Sequence, residues 1–144
     1  MKILIGVCLS KKNFKFLNKL LNSLIKLEVP IHHPLKIVFI VEKKNHIFEN
    51  YISKILKGKK IDFLILFTDR NGIPQLRNIF LKYQKKNVSK YSGFLDDDCI
   101  VPIKWLKNMV KFIEKNNCDI VGGPQLHMTK NKFYEKLFKI IEPK

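Results

Sequence analysis

Short apolar runs alternate with segments of helical periodicity along the whole chain, and this alternation constrains the fold more than any other feature. "KILIGVCL" (2–9), "KIVFIVE" (36–42), "IDFLILF" (61–67), "YSGFLD" (91–96) and "CDIVGG" (118–123) read as strands. Between them, residues 13–27, 46–57, 73–86 and 102–116 carry helical patterns. Leu17, Leu20, Leu21, Leu24 and Ile25 share one face of the first, and Leu76, Ile79, Phe80 and Tyr83 one face of the third. Gly58 ends the second helix, Pro102 suits the first position of the fourth, and "NKFYEKLFKIIE" (131–142) reads as a last amphipathic helix. Alternating strands and helices predict an α/β fold with a largely parallel sheet and right-handed crossovers.

At 144 residues the chain is one domain's worth, with an apolar share of 46% and a charged share of 28% typical of soluble globular proteins. Its apolar runs are too short to cross a bilayer, and the start lacks a signal-peptide cleavage pattern, so cytoplasmic residence is the expectation. Cys8, Cys99 and Cys118 are odd in number and widely spaced, which argues against a disulfide framework or a structural zinc site. The net charge of +16 is nearly all lysine, and the only arginines are Arg70 and Arg77. Base readout and bidentate phosphate clamps favour arginine, so a dedicated nucleic-acid role is disfavoured.

Acidic residues number 12 against 28 basic ones, yet Asp96, Asp97 and Asp98 stand side by side at the end of the fourth predicted strand. Ligands of a parallel sheet bind at the carboxyl ends of its strands. Ser10 ends the first strand there, Glu42 the second, and a "GGP" turn the fifth. Strand alternation would put Asp96 and Asp98 on one side and Asp97 on the other. Paired carboxylates repel unless they share a cation, and hard oxygens suit Mg²⁺ or Mn²⁺ held together with substrate phosphates. The functional reading is a D-x-D site for a metal and a nucleotide diphosphate. The plainer one is a solvated acidic turn, with or without capping of the helix near Pro102. In "NGIPQLRN" (71–78), Gly72 and Pro74 lead into a helix whose early turns carry Arg77, a natural phosphate partner or simply a surface arginine.

"GIPQLRN", then "DDD", then "P" and "WL", then "DIVGGP" resemble the nucleotide-sugar-binding half of the family 2 glycosyltransferases, which have the GT-A fold. "IGVCLSKKNFKFLNKLLNSL" is similar to that family's first strand and helix. The resemblance runs from about Ile3 to Pro124, within a single domain 1–144 whose residues 125–144 form the terminal helix. It implies a Rossmann-like donor-binding half with Asp98 as principal ligand of Mn²⁺ or Mg²⁺. Asp96 would touch the ribose or the metal shell, with Asp97 beside it. It places Arg77 near the diphosphate of a UDP- or GDP-linked sugar and Ser10 at the nucleotide. Glu42 stands where an aspartate usually reads the uracil or ribose, one methylene longer than the pattern, and "CLSKKN" also departs from it.

The resemblance further implies inverting transfer to a hydroxyl of a saccharide or lipid-linked acceptor. The general base is a carboxylate beyond the matched region, so no catalytic residue is assigned. Glu135 and Glu142 look solvated, and His32, His33, His46 and His127 read as loop or surface residues. A C-terminal half, or a partner chain, is expected to complete the acceptor site. The last helix, with lysines at 130, 132, 136 and 139, would lie on the inner face of a membrane or dock on its own sheet. The alternatives are a non-catalytic nucleotide-binding or interaction fragment and, less favoured, a basic nucleic-acid binder. No G-x-G-x-x-G follows the first strand, and "GKK" at 58–60 lacks the rest of a phosphate loop.

Overall fold

The structure, a computed structural model, describes residues 2–9, 14–42 and 46–123. Its elements follow in the order β1 (Ile3–Leu9), α1 (Phe14–Ile25), β2 (Leu35–Glu42), α2 (His46–Leu56), β3 (Asp62–Thr68), α3 (Ile73–Lys86), β4 (Tyr91–Asp96) and α4 (Trp105–Asn116). The four strands form one sheet in the order β3-β2-β1-β4, and every pairing is parallel. The two inner strands are nearly sealed from solvent and the two outer ones are mostly half-buried, which is why "ILIGVCL" and "LKIVFIVE" are continuous apolar runs.

Alternate residues of β1 serve opposite faces. Ile3, Ile5, Val7 and Leu9 join the core under α1, α2 and α4, with Leu17, Leu21, Phe48, Ile52, Leu106 and Val110 packed against them. Leu4 and Cys8 join a smaller cluster under α3, built on Leu76 and Phe80. Phe14 links α1 to α2 through ring contacts of 5.0 Å with both Phe48 and Tyr51. Helices therefore cover both faces of the sheet. Gly58, at φ 77°, takes the left-handed conformation that ends α2.

Three expectations change. Residues 118–123 form no strand: the sheet has four strands among the described residues, and Ile120 is 89% exposed. The segment instead passes over α4, where a Cβ on Gly123 would come within 2.7 Å of the Met109 methyl. That path keeps it off the sheet, although β3 and β4 each pair on one side only among the described residues. Pro102 does not open α4 either. It begins a turn in which the Trp105 N–H donates to the Pro102 carbonyl at 2.9 Å, and Lys104 is the N-cap residue. Finally, β4 stops at Asp96, so strand alternation does not extend through Asp98. The predicted helix 131–142, its glutamates and lysines, and Pro124 lie outside the described residues.

Candidate functional site

The strand order reverses direction beside β1. β2 and β3 lie on one side of it and β4 on the other, so the carboxyl ends of β1 and β4 flank the topological switch point of the sheet. Parallel sheets bind ligands in the crevice outside such strand ends; here α3 covers one face of the sheet and α1 and α4 the other. Asp96 ends β4 at this point, in register with Cys8 of β1. Asp97 and Asp98 follow in a turn, with the Cys99 N–H donating to the Asp96 carbonyl at 3.3 Å. Asp96 and Asp98 are exposed and Asp97 is half-buried.

The aspartates do not cap α4. Its N-cap is Lys104, six residues past Asp98, with no side-chain cap hydrogen bond. The capping part of the plainer reading therefore fails, while the acidic, solvated turn itself is what the structure shows.

Arg77 reaches the triplet through a chain of packing contacts that starts at Gly6. A Cβ at Gly6, in the middle of β1, would stand 2.8 Å from the Phe80 ring and 3.1 Å from Phe94. Without it, Phe80 settles directly on the strand and meets Phe94 of β4 edge-on, with ring centroids 4.8 Å apart. Arg77 lies one turn before Phe80 on α3. Its guanidinium sits 5.4 Å from the Phe94 ring centroid and donates from Nη2 to Asp96 Oδ1 at 3.3 Å. The start of α3 is set by Gly72 at φ 88°, a conformation costly for other residues, followed by Pro74.

The opposite flank is held by Ser23. Buried in α1, its hydroxyl donates to the Leu20 carbonyl at 2.7 Å and accepts the Val101 N–H at 3.2 Å, fixing the chain that leaves the triplet. The Glu28 N–H then donates to the Ile103 carbonyl at 2.8 Å.

Below this edge lies Cys8, whose thiol is pushed up to about 11, chiefly by burial. Arg77 opposes that rise, while Asp96 and Asp97 add to it, so all three charges act on the end of β1. Cys99 is raised as well, again mainly by burial. Both cysteines are neutral thiols at pH 7.

Of the other candidates, Glu42 is half-buried at the end of β2 and level with Thr68 of β3. Strand spacing puts it roughly 10 Å from the β4 line, across β1. It stands on the same edge as Asp96, but no hydrogen bond or ion pair joins it to the Arg77–Asp96 pair. Ser10 and His127 lie outside the described residues. His33 belongs to the opposite edge of the sheet, and His46 pairs with Glu49 at 3.1 Å on the surface of α2. Among the described residues, no group of three or more His, Cys, Asp or Glu side chains converges. Gly6 and Ser23 went unread in the sequence, and Phe80 was read only as part of a helix face. The one available signal was a glycine inside a strand, which marks a close approach by another element.

The fold is thus a parallel α/β sheet with carboxylates and an arginine at its switch point, where the ligands of such sheets bind. The profile of glycosyl transferase family 2 matches residues 6–140, and the chain belongs to that family. No curated protein sequence matches it. Among solved structures, it is similar to S. aureus TarS 1–349 in complex with UDP-GlcNAc, with a TM-score of 0.67 and 22% identity over 87% of this chain. It is also similar to the same protein in complex with UDP, with a TM-score of 0.62 and 23% identity. The chain spans 37% and 38% of those two structures. These likenesses show the fold, which is that of the N-terminal part of a GT-A glycosyltransferase.

Proposed function

We propose that this domain binds a nucleotide-diphosphate sugar, most simply a UDP-sugar, in the crevice between β1 and β4, and presents it for transfer to an acceptor hydroxyl. The observation that carries this reading is the Asp96–Asp98 turn at the switch point, with Arg77 held against it. The UDP-GlcNAc bound by the similar TarS structure supports the donor class.

The donor set fits a hard cation of the kind completed by substrate. Asp96 and Asp98 offer exposed carboxylate oxygens, and with no third ligand converging among the described residues, phosphate oxygens and water would fill the remaining positions. Mg²⁺ or Mn²⁺ bound there supplies Lewis-acid stabilisation of the departing diphosphate. Asp98, which makes no ion pair with Arg77, is the principal ligand in this proposal, and Asp96 serves the ribose or the metal shell.

Arg77 has a second task. Its bond to Asp96 is half-exposed, with side chains 45% and 55% accessible, so it is worth little in itself. A diphosphate arriving beside it offers a stronger, charge-assisted partner. Arg77 then turns from Asp96 to the phosphates and frees that carboxylate for the donor. Glu42, on the same edge, is placed to read the nucleoside from the far side of β1. The acceptor class and the base that deprotonates it belong to parts of the fold outside this reading.

Titration calorimetry with UDP and GDP, with and without Mn²⁺, tests the proposal. Binding should require the metal and disappear in Asp98→Ala. Arg77→Ala should weaken it roughly tenfold or more, the worth of a hydrogen bond to a charged group. Metal-independent binding untouched by either substitution would place the nucleotide elsewhere.

A further inference from the structure

The surface of α4 and the 28–32 loop combines free lysines with protruding apolar side chains, a pairing that the donor site does not use. Lys104, Lys107, Lys111 and Lys115 recur at intervals of three and four, so they form one ridge along the helix. On one flank, an open groove of about 650 Å³ is lined by Val29, Pro30, Ile31 and Val110 together with three of these lysines. Ile31 is 94% exposed. On the other flank stands Phe112, 53% exposed and a helical neighbour of Lys115, and Ile103, 51% exposed, precedes the ridge.

The acidic residues of this surface are already engaged. Glu28 accepts from Lys107 at 3.1 Å, and Glu114 accepts from Lys90 at 2.8 Å and from the Tyr91 hydroxyl at 3.0 Å. No ion pair joins Lys104, Lys111 or Lys115 among the described residues, so the ridge presents net positive charge.

We propose that this face is a docking surface for an anionic lipid bilayer, with the lysines against the headgroups and Ile31 and Phe112 entering the acyl boundary. Charge complementarity selects the occupant. A second copy of a chain carrying +16 is repelled. A single-stranded nucleic acid would satisfy the lysines and could stack a base on Phe112, but it gives the exposed aliphatic side chains of Ile31 and Ile103 nothing apolar to enter. A bilayer interface satisfies both, by the same physics that holds amphipathic helices and juxtamembrane basic segments on membranes. Glu114 bonds residues at the start of β4, so the far end of α4 lies at the sheet edge opposite Asp96. Docking there leaves the donor crevice open. The inference does not depend on the proposed donor.

Sedimentation of the full chain with vesicles of phosphatidylglycerol and phosphatidylcholine tests it. Binding should rise with the anionic fraction and fall with salt. The pair Lys111→Gln and Lys115→Gln should reduce partitioning roughly twenty-five-fold, about fivefold for each charge removed. Ile31→Ser with Phe112→Ser should reduce it several-fold at unchanged charge, and both variants should keep the wild-type circular dichroism spectrum. A fluorescent oligonucleotide provides the competing arm. The proposal is overturned if wild type ignores anionic vesicles, or if both variants bind them as wild type does. It is also overturned if only the lysine variant loses binding and the oligonucleotide binds more tightly than the vesicles.

Discussion

Gly6 decides where Arg77 can stand. A methyl group there would push Phe80 off β1, and with it the turn of α3 that carries the guanidinium. Gly6→Ala should therefore destabilise the domain by about 1–3 kcal/mol, the usual cost of overpacking. Chemical denaturation would register this as a lower midpoint at unchanged slope. Shrinking the partner in Phe80→Leu should relieve part of the strain, so the two substitutions together should cost less than their sum. Additive costs would mean that the close approach at Gly6 is not what the mutation disturbs. At this scale the sequence was partly legible. Asp96, Asp97, Asp98 and Arg77 stood out because scarce residue types were clustered or placed at a helix start. Gly6 and Ser23 did not, because each acts through a contact with a residue more than seventy positions away in sequence.

Elements were legible where apolar periodicity and burial agree, as in β1, β2, α3 and β4, whose limits fall at or within a residue of the pattern. They were not where an element needs a distant partner to exist. Residues 118–123 have strand composition but run over α4 rather than beside a sheet edge, and the turn at Pro102 follows from the anchoring of Val101 on Ser23. Ser23→Ala would leave the buried Val101 N–H without its acceptor, at a cost of about 1–3 kcal/mol. Hydrogen exchange should show faster exchange at Val101 than in the core of β1, whereas unchanged protection would contradict the role given to Ser23.

The tie between α4 and the sheet has its own signature. Hydrogen bonds from Lys90 and then Tyr91 hold the Glu114 carboxyl below its ordinary value of 4.5, and the bond to Glu114 raises Lys90 above 10.5. A depressed acid contributes stability above its unfolded value and loses it as pH falls through the folded one. A raised base keeps its contribution below its unfolded value and loses it as pH climbs through the folded one. Glu114→Gln should thus lower the melting temperature near pH 7, and the gap from wild type should close as the pH drops below the ordinary carboxylate range. A gap that persists in strong acid would point to packing rather than charge.

At the scale of the whole molecule, the order β3-β2-β1-β4 matters most, because it turns an acidic turn into a site. The same three aspartates at the end of β3 would face no crevice. The alternation of elements predicted the α/β class and the parallel sheet, but strand order follows from which helices share a face. That depends on the packing of Phe80 on one side and of Leu17, Phe48 and Leu106 on the other. The family match and the fold then converge on the N-terminal part of a GT-A glycosyltransferase. The most direct test is a crystal structure with UDP and Mn²⁺, using the anomalous signal of manganese. A manganese peak should stand in contact with the Asp98 carboxylate, with the diphosphate beside it and Arg77 turned from Asp96 toward the phosphates. UDP bound away from the β1–β4 crevice, or manganese bound without Asp98, would contradict it.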